Sequence, residues 1–317
     1  MVSYRHDKRA GNFGDVHKHI ALLSALSATT SEADATSNQN VLYIETHAAS
    51  GSYESTSSKA EDTGVGRVLA ADESQSMMSQ DIRAYADTIK RYRNCGAKSK
   101  NRYPGSPVLA LSCLRSGRDE ALCAEYQQEV ANELSLTLSA YQEENNAEIA
   151  ASVEVGDGYA AMRRKLASLT KNDEDAKSTV PFILIDPPFT DLQRELDDVP
   201  MAIRDCIGAS SEAIIIIWYP IKKGCDNMLL SWKEDLASAI RGKPHRLLFS
   251  EIWTSSRTSQ TIGYKEDALV GSGIALIHRR TCNDMTEKLM SLTKELYDIL
   301  SSKTCTGGGS WSVLECK

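Results

Sequence analysis

The chain has 317 residues, 41% of them apolar and 25% charged, with a formal net charge of −7. That is ordinary globular composition, which excludes wholesale disorder, and the length suits one large α/β domain with an insertion or two smaller domains. The acidic balance argues mildly against a nucleic-acid partner held by overall charge, since phosphate binding is driven by Lys and Arg.

The opening stretch, MVSYRHDKRAGNFGDVHKHI, has no apolar signal-peptide core and carries two aspartates, which a transit peptide avoids. His6, His17 and His19 fall within it, but with no carboxylate cluster or cysteine ligands beside them no metal is expected. No apolar run approaches the roughly 20 residues of a membrane-spanning helix. Eight cysteines are scattered without a C-x-x-C pair, which reads as reduced thiols in an intracellular protein, with the cytoplasm as the expected compartment.

Strand-like segments are expected at 41–46, 121–125, 148–155, 182–186, 213–219, 246–253 and 273–278, alternating with helical stretches such as 15–26, 129–142 and 159–169. This is the pattern of a doubly wound α/β sheet. The long gap from Tyr53 to Tyr103 contains a helical pattern at 79–93, which suggests a helical insertion over 54–102 within a main domain formed by 1–53 and 103–317. Residues 88–103 hold Lys90, Arg91, Arg93, Lys98, Lys100 and Arg102 with Tyr92 and Tyr103 between them, a combination suited to phosphates and unstacked bases. A solvated helix face followed by a polar loop is the plainer explanation of that stretch alone. Trp218, Trp232 and Trp253 are read as packing residues.

Ligands in open parallel sheets collect beyond the carboxyl ends of the strands. Here the first strand runs into the small-residue turn Glu45-Thr46-His47-Ala48-Ala49-Ser50-Gly51, the second ends in Glu125 and the third in Gly156-Asp157-Gly158. The fourth ends in Asp186-Pro187-Pro188-Phe189. With no P-loop and several acids, such a rim suits a cationic nucleoside derivative such as S-adenosylmethionine better than a triphosphate. Glu125 suits ribose hydroxyls and Asp157 an exocyclic amine, although a helix-capping role explains Glu125 equally well.

At the fourth strand end, the Asp186 carboxylate and Pro187 carbonyl can accept the two hydrogens of an adenine N6. They would turn its delocalised lone pair towards a methyl donor, with Phe189 stacked on the flipped base. A strand closed by prolines is the bland account of D-P-P. The aromatic fourth position turns the reading towards the [DNS]-P-P-[YFW] motif of amino-methyltransferases, which acts on DNA, RNA and protein amides alike.

The N-terminal stretch Ser3 to His19 resembles the S-Y-R-H-x-x-x-A-G-N-x-x-D-V-x-K-H opening of the bacterial RlmJ family, adenine-N6 methyltransferases of large-subunit ribosomal RNA. The likeness continues through 42–48, 59–64, 103–107, 156–158, 185–189, 218–220, 271–273 and the region of Ser310 and Trp311. It implies a Rossmann-like class I methyltransferase dependent on S-adenosylmethionine, with a helical insertion subdomain that contacts RNA. It further implies that His19, His47, Ser106, Glu125, Asp157, Gly158 and Asp186 line the cofactor pocket and that Asp186 is the catalytic acceptor. Tyr4, His6, Lys18, Pro187 and Phe189 would meet the target adenosine. The expected partner is ribosomal RNA, with no membrane and no metal, and a monomer is expected.

The sequence departs from the family at Ala49, where glycine is usual, and at Phe189, where tyrosine is more common. Polar loops are expected at 29–40, 140–147 and 170–179. The alternatives are the same chemistry on DNA, another RNA or a protein amide, or a nucleic-acid binder that has lost turnover, with Ala49 as the feature favouring the last.

Overall fold

The structure, a computed structural model, describes residues 10–36, 39–54, 63–74, 78–95, 101–170, 179–253, 269–279, 283–301 and 309–316. Its strands are β1 (Asn40–Glu45), β2 (Ser52–Glu54), β3 (Arg102–Pro104), β4 (Glu120–Glu125), β5 (Ala150–Val155), β6 (Thr179–Ile185), β7 (Ile214–Lys222), β8 (His245–Trp253), β9 (Leu269–Arg279) and β10 (Ser310–Cys316). The helices are α1 (Phe13–Thr36), α2 (Val65–Glu73), α3 (Gln80–Asn94), α4 (Ser106–Leu111), α5 (Gln128–Asn145), α6 (Gly158–Thr170), α7 (Leu192–Ala209), α8 (Asp226–Ala239) and α9 (Asn283–Ser301).

Eight strands form one sheet in the order β10-β8-β9-β7-β6-β1-β4-β5. From β5 through β7 every neighbouring pair is parallel, while β9 runs antiparallel to both β7 and β8, and β10 antiparallel to β8. The chain order reverses direction at β1, with β4 on one side and β6 on the other. That crevice is where a doubly wound sheet binds its ligand.

Period-two alternation divides each central strand between two apolar layers. Leu42, Ile44, Ile183 and Ile185 pack with Met162, Val199, Ile203, Leu229 and Trp232 of α6, α7 and α8. Val41, Tyr43, Phe182 and Leu184 face Leu22, Leu26, Val108, Leu134 and Leu289 of α1, α4, α5 and α9.

The helix in the insertion has a clear local cause. Ser79 Oγ accepts from Ile82 N at 3.5 Å, Asp81 lies in the first turn and Arg91 and Arg93 in the last, complementing the helix dipole. Ile82, Tyr85, Ala86, Ile89 and Tyr92 form its buried stripe; the first four pack with Val16, Ile20 and Leu23 of α1, and Tyr92 joins the cluster of Leu22 and Leu26. The segment enters and leaves through the antiparallel pair β2–β3, Ser52 opposite Pro104 and Glu54 opposite Arg102.

Several expectations need correction. Residues 29–36 are helical, because Thr29 and Thr30 return hydrogen bonds to Ala25 O (2.8 Å) and Ser27 O (3.1 Å) and Ala33 is buried. Residues 140–145 are likewise the end of α5, closed by Asn146 in the left-handed conformation. Strand β7 continues through Pro220, which is tolerated because pairing with β6 stops at Ile217 and, among the described residues, β9 alone pairs with the strand beyond it. Tyr92 and Tyr103 are 8% and 1% exposed, so they are core residues and not base-stacking platforms. Residues 171–178, Lys98 and Lys100 lie outside the described residues.

At the amino end of the sheet, opposite the site, Asp119 ties β1 to β4. Its Oδ1 accepts from Val41 N (2.8 Å) and Arg115 Nη2 (2.7 Å), and its Oδ2 from Arg115 N (2.8 Å) and Nε (2.9 Å). Removing a buried carboxylate that satisfies this many donors strands all of them. Asp119→Ala should therefore cost about 3 kcal/mol, read as a lower urea midpoint with an unchanged slope.

Candidate active site

The site begins with the cap of α1. Asn12 Oδ1 accepts from Gly14 N (2.7 Å) and Asp15 N (3.3 Å), and Asp15 Oδ2 reaches back to Gly11 N (2.9 Å). This fixes the first turns of α1, from which Lys18 enters the crevice. Its ammonium forms an ion pair with Asp186 Oδ2 at the end of β6 and lies 3.5 Å from Asp15 Oδ1. Both partners are largely buried. Burial opposes the charge on Lys18, but Asp186 and Asp15 outweigh it and hold its pKa above the usual lysine range.

Glu45 ends β1 beside this pair and is fully buried. It accepts from Tyr43 Oη (2.7 Å) and from Ser106 Oγ (2.5 Å) at the start of α4. Burial pushes its carboxyl up to about 7, although the Ser106 and Tyr43 hydrogen bonds and the Lys18 charge pull the other way. Glu45 was not among the sequence candidates for the site; the signal was an acid closing an otherwise apolar central strand.

The turn after β1 is braced by its neighbours. Thr46 N bonds Leu184 O (3.1 Å), Ala48 N bonds Ala124 O (2.9 Å), and Ala49 N bonds Glu125 Oε2 (3.1 Å). Glu125 Oε1 accepts from Gln127 N (2.8 Å). Ala49 has φ 50°, the left-handed region where glycine is at no disadvantage, so the usual family glycine has a backbone reason. His47 Nδ1 is 2.8 Å from Thr46 Oγ1, and its ring meets Tyr159 edge-on at 5.3 Å. Burial lowers its pKa to about 4 despite the charges of Asp186 and Asp157, so the imidazole is neutral.

Asp157 caps α6, with Oδ1 accepting from Ala160 N at 3.0 Å. Gly158 opens that helix against β1: a Cβ there would sit 1.8 Å from Thr46 O, so no side chain fits. His19 lies against Tyr103, with Nδ1 2.7 Å from its hydroxyl and the rings stacked at 5.6 Å.

Phe189 also has left-handed φ, 49°, and is only 4% exposed, its ring edge-on to Trp218 at 5.6 Å. Its carbonyl accepts from Lys222 Nζ at 3.2 Å. The Lys18–Asp186 ion pair and the Glu45–Ser106 hydrogen bond are thus separate contacts coupled through the charges of Lys18 and Glu45, and the His47 turn, Glu125, Asp157 and Gly158 lie around the end of β1 beside them. Tyr4 and His6 lie outside the described residues.

The family model described as "Ribosomal RNA large subunit methyltransferase D, RlmJ" matches residues 38–241, more than half of the chain. The chain belongs to the RlmJ family. Ribosomal RNA large subunit methyltransferase J of Escherichia coli K12 is 29% identical over 226 residues, covering 70% of this chain and 71% of the relative. The Haemophilus influenzae protein of the same name matches with the same identity and coverage. A solved Legionella pneumophila structure shares the fold, with TM-score 0.68 at 23% identity over 96% of this chain and 97% of that one. As an RlmJ family member the chain is an S-adenosylmethionine-dependent rRNA methyltransferase with a Rossmann-like α/β fold. The residues at the crevice fit a cationic donor by their chemistry: acidic side chains stand at the ends of β1, β4 and β6 and in the turn after β5, Lys18 is already paired with Asp186 and Asp15, and burial lowers the His47 pKa so that it adds no charge. No described helix is long and apolar enough to cross a membrane.

The Glu45 proton gives a pH test. The folded state holds it more tightly than the unfolded chain, so its stabilising contribution is complete below about pH 4.5 and lost as pH rises through about 7. The effect of His47 has the opposite sign, present above 6.5 and lost as pH falls towards 4. Glu45→Gln should remove a loss on the order of 3 kcal/mol between those limits, seen in the variant-minus-wild-type difference of unfolding free energy against pH.

Proposed function

We propose that the chain methylates adenine N6 of large-subunit rRNA at the Asp186 strand end. The observation that carries this reading is the buried contact of Lys18 with Asp186 Oδ2, at the crevice beside β1 and directly before two prolines. The Lys18 contact orients the carboxylate through Oδ2, leaving Oδ1 to accept one N6 hydrogen while the Pro187 carbonyl accepts the other. The nitrogen lone pair is then directed at the donor methyl: the N–C bond would form as the donor's S–C bond breaks and a neutral thioether leaves, and the N6 proton would pass by way of Asp186 Oδ1 to water.

S-adenosylmethionine, when bound, supplies the electrophilic methyl group. The residues assigned to hold it are His47, Ser106, Glu125, Asp157 and Gly158, with Asp186 at the reacting end and His19 on α1 against Tyr103. Tyr4, His6, Lys18, Pro187 and Phe189 are assigned to the adenosine. Phe189 is packed on Trp218, so stacking on a flipped base requires its turn to shift; the left-handed φ at that residue is a strain of about 1 kcal/mol that such a shift can relieve. The compartment assigned is the cytoplasm, and the functional unit a monomer.

The 54–102 segment is assigned to RNA contact. Lys90 is already paired with Asp72 (2.7 Å), and Arg102 is held by Ser52 (2.8 Å), which leaves the exposed Arg91 and the lysines Lys98 and Lys100 as cations for this role, the two lysines being the ones to replace. Their double replacement by Ala should reduce the slope of log K against log salt by about 0.7 per lost phosphate contact on single-stranded RNA. An unchanged slope would remove this segment from the RNA surface.

Asp186→Ala should lower kcat by about a hundredfold or more; because it leaves Lys18 paired with Asp15 alone it should also cost about 3 kcal/mol of stability, so turnover is read on protein shown to be folded. The measurement is mass spectrometry of digested rRNA after incubation with isotope-labelled donor. Labelled N6-methyladenosine from wild type alone is expected; equal label from the variant would sink the assignment. Donor binding without any labelled nucleoside would favour the non-catalytic reading to which Ala49 points.

A further inference from the structure

Trp218 joins the site to a buried hydrogen-bond chain that the proposed chemistry does not use. The Lys18 ammonium lies 6.0 Å from its ring centre, and Phe189 packs edge-on against it. On the other side, the first turn of α1 comes close enough that a Cβ at Gly14 would lie 3.4 Å from the indole. Trp218 Nε1 donates to Ser272 Oγ at 2.9 Å. Ser272 Oγ is 3.1 Å from His17 Nδ1, and His17 Nε2 is 2.8 Å from Ser250 Oγ. Ser250 Oγ is 2.6 Å from Thr293 Oγ1, which donates to Leu289 O at 2.6 Å. His17, Ser250, Ser272 and Thr293 are all buried.

Both ends of this chain fix its direction. Because Thr293 gives its hydrogen to Leu289 O, it receives that of Ser250, and Ser250 must accept from His17 Nε2–H. A neutral imidazole then has Nδ1 as acceptor, so Ser272 donates to Nδ1 and accepts from the indole, which can only donate. One tautomer satisfies every group from β7 across β9 and α1 to β8 and α9. Burial, which lowers the His17 pKa to about 3, keeps the ring neutral.

We propose that His17 is a positioning residue for methyl transfer: through Ser272 it fixes the Trp218 indole, which holds Phe189 and underlies Lys18 at the Asp186 strand end. This rests on the assignment of Asp186 above. His17 neighbours Lys18 in sequence, so a single helix turn sets both the ammonium and the support of the ring beneath it. Gly273 belongs to the same device, since a Cβ there would fall 2.1 Å from the Tyr219 ring and displace the strand that carries Ser272.

A merely structural histidine and a positioning one differ in which ring atom matters. His17→Asn places an amide oxygen near the Nδ1 position and can accept from Ser272, whereas His17→Gln reaches Ser250 and leaves Ser272 without an acceptor. In the full chain, His17→Gln and Ser272→Ala are expected to lower kcat about tenfold with KM for S-adenosylmethionine unchanged, and His17→Asn to stay within about threefold of wild type. In a Trp218→Phe background, His17→Gln should cost nothing further.

Equal kcat losses in both His17 variants, or losses additive with Trp218→Phe, would overturn the proposal. Should the His17 variants not fold, Ser272→Ala decides: an unchanged kcat overturns it and the tenfold loss upholds it. Asp186→Ala is measured alongside. Persisting turnover there removes the site assignment and the proposal with it, whereas lost turnover there with normal kcat in Ser272→Ala overturns the proposal alone.

Discussion

The arrangement around the crevice depends on one buried ammonium. An ion taken out of water costs several kcal/mol unless it is closely paired, and Lys18 is buried between Asp186 and Asp15. Asp15 can serve only because the Asn12 cap fixes the first turn of α1, and Asp186 only because β6 ends where two prolines stop it. The cation also limits the rise of the Glu45 pKa, which burial alone would drive further. Burial lowers the pKa of His17 and of His47, so neither adds a positive charge beside the carboxylates.

The central parallel strands β1, β4, β6 and β7 were legible because each is a mostly apolar run buried on both faces, and the helix 79–93 because its apolar spacing follows 3.6 residues. Strands β2 and β3, three residues each, carry too short a pattern to be read. β10 was missed because it is an edge strand whose residues are half or fully exposed, so SWSVLEC shows no clean alternation. At the site, D-P-P-F made Asp186 visible. Glu45 was passed over because its importance comes from the strand order, which puts β6 next to β1. The tyrosines among the basic residues misled for a similar reason: helical phase, which the charges do not report, turns Tyr92 into the core.

Family membership and geometry cover different parts of the molecule. The family match spans 38–241, whereas Asp15, His17 and Lys18 precede it and Ser250, Ser272 and Thr293 follow it. These outlying residues converge on the Trp218 and Asp186 region from α1, β8, β9 and α9. The left-handed residues Ala49 and Phe189 stand at the two strand ends flanking the crevice, where a β-region backbone would carry the chain away from it.

The β2–β3 ladder has a further consequence. Its paired residues hold the two ends of the insertion at one inter-strand spacing, whatever lies between them. Extra residues placed there would cost only the slow logarithmic growth of loop-closure entropy, about 0.6 kcal/mol per doubling, and would leave the register of the central sheet untouched. The helix face packed on α1 is thus held independently of the sheet, and a change of length between the two anchor strands leaves the crevice as it is.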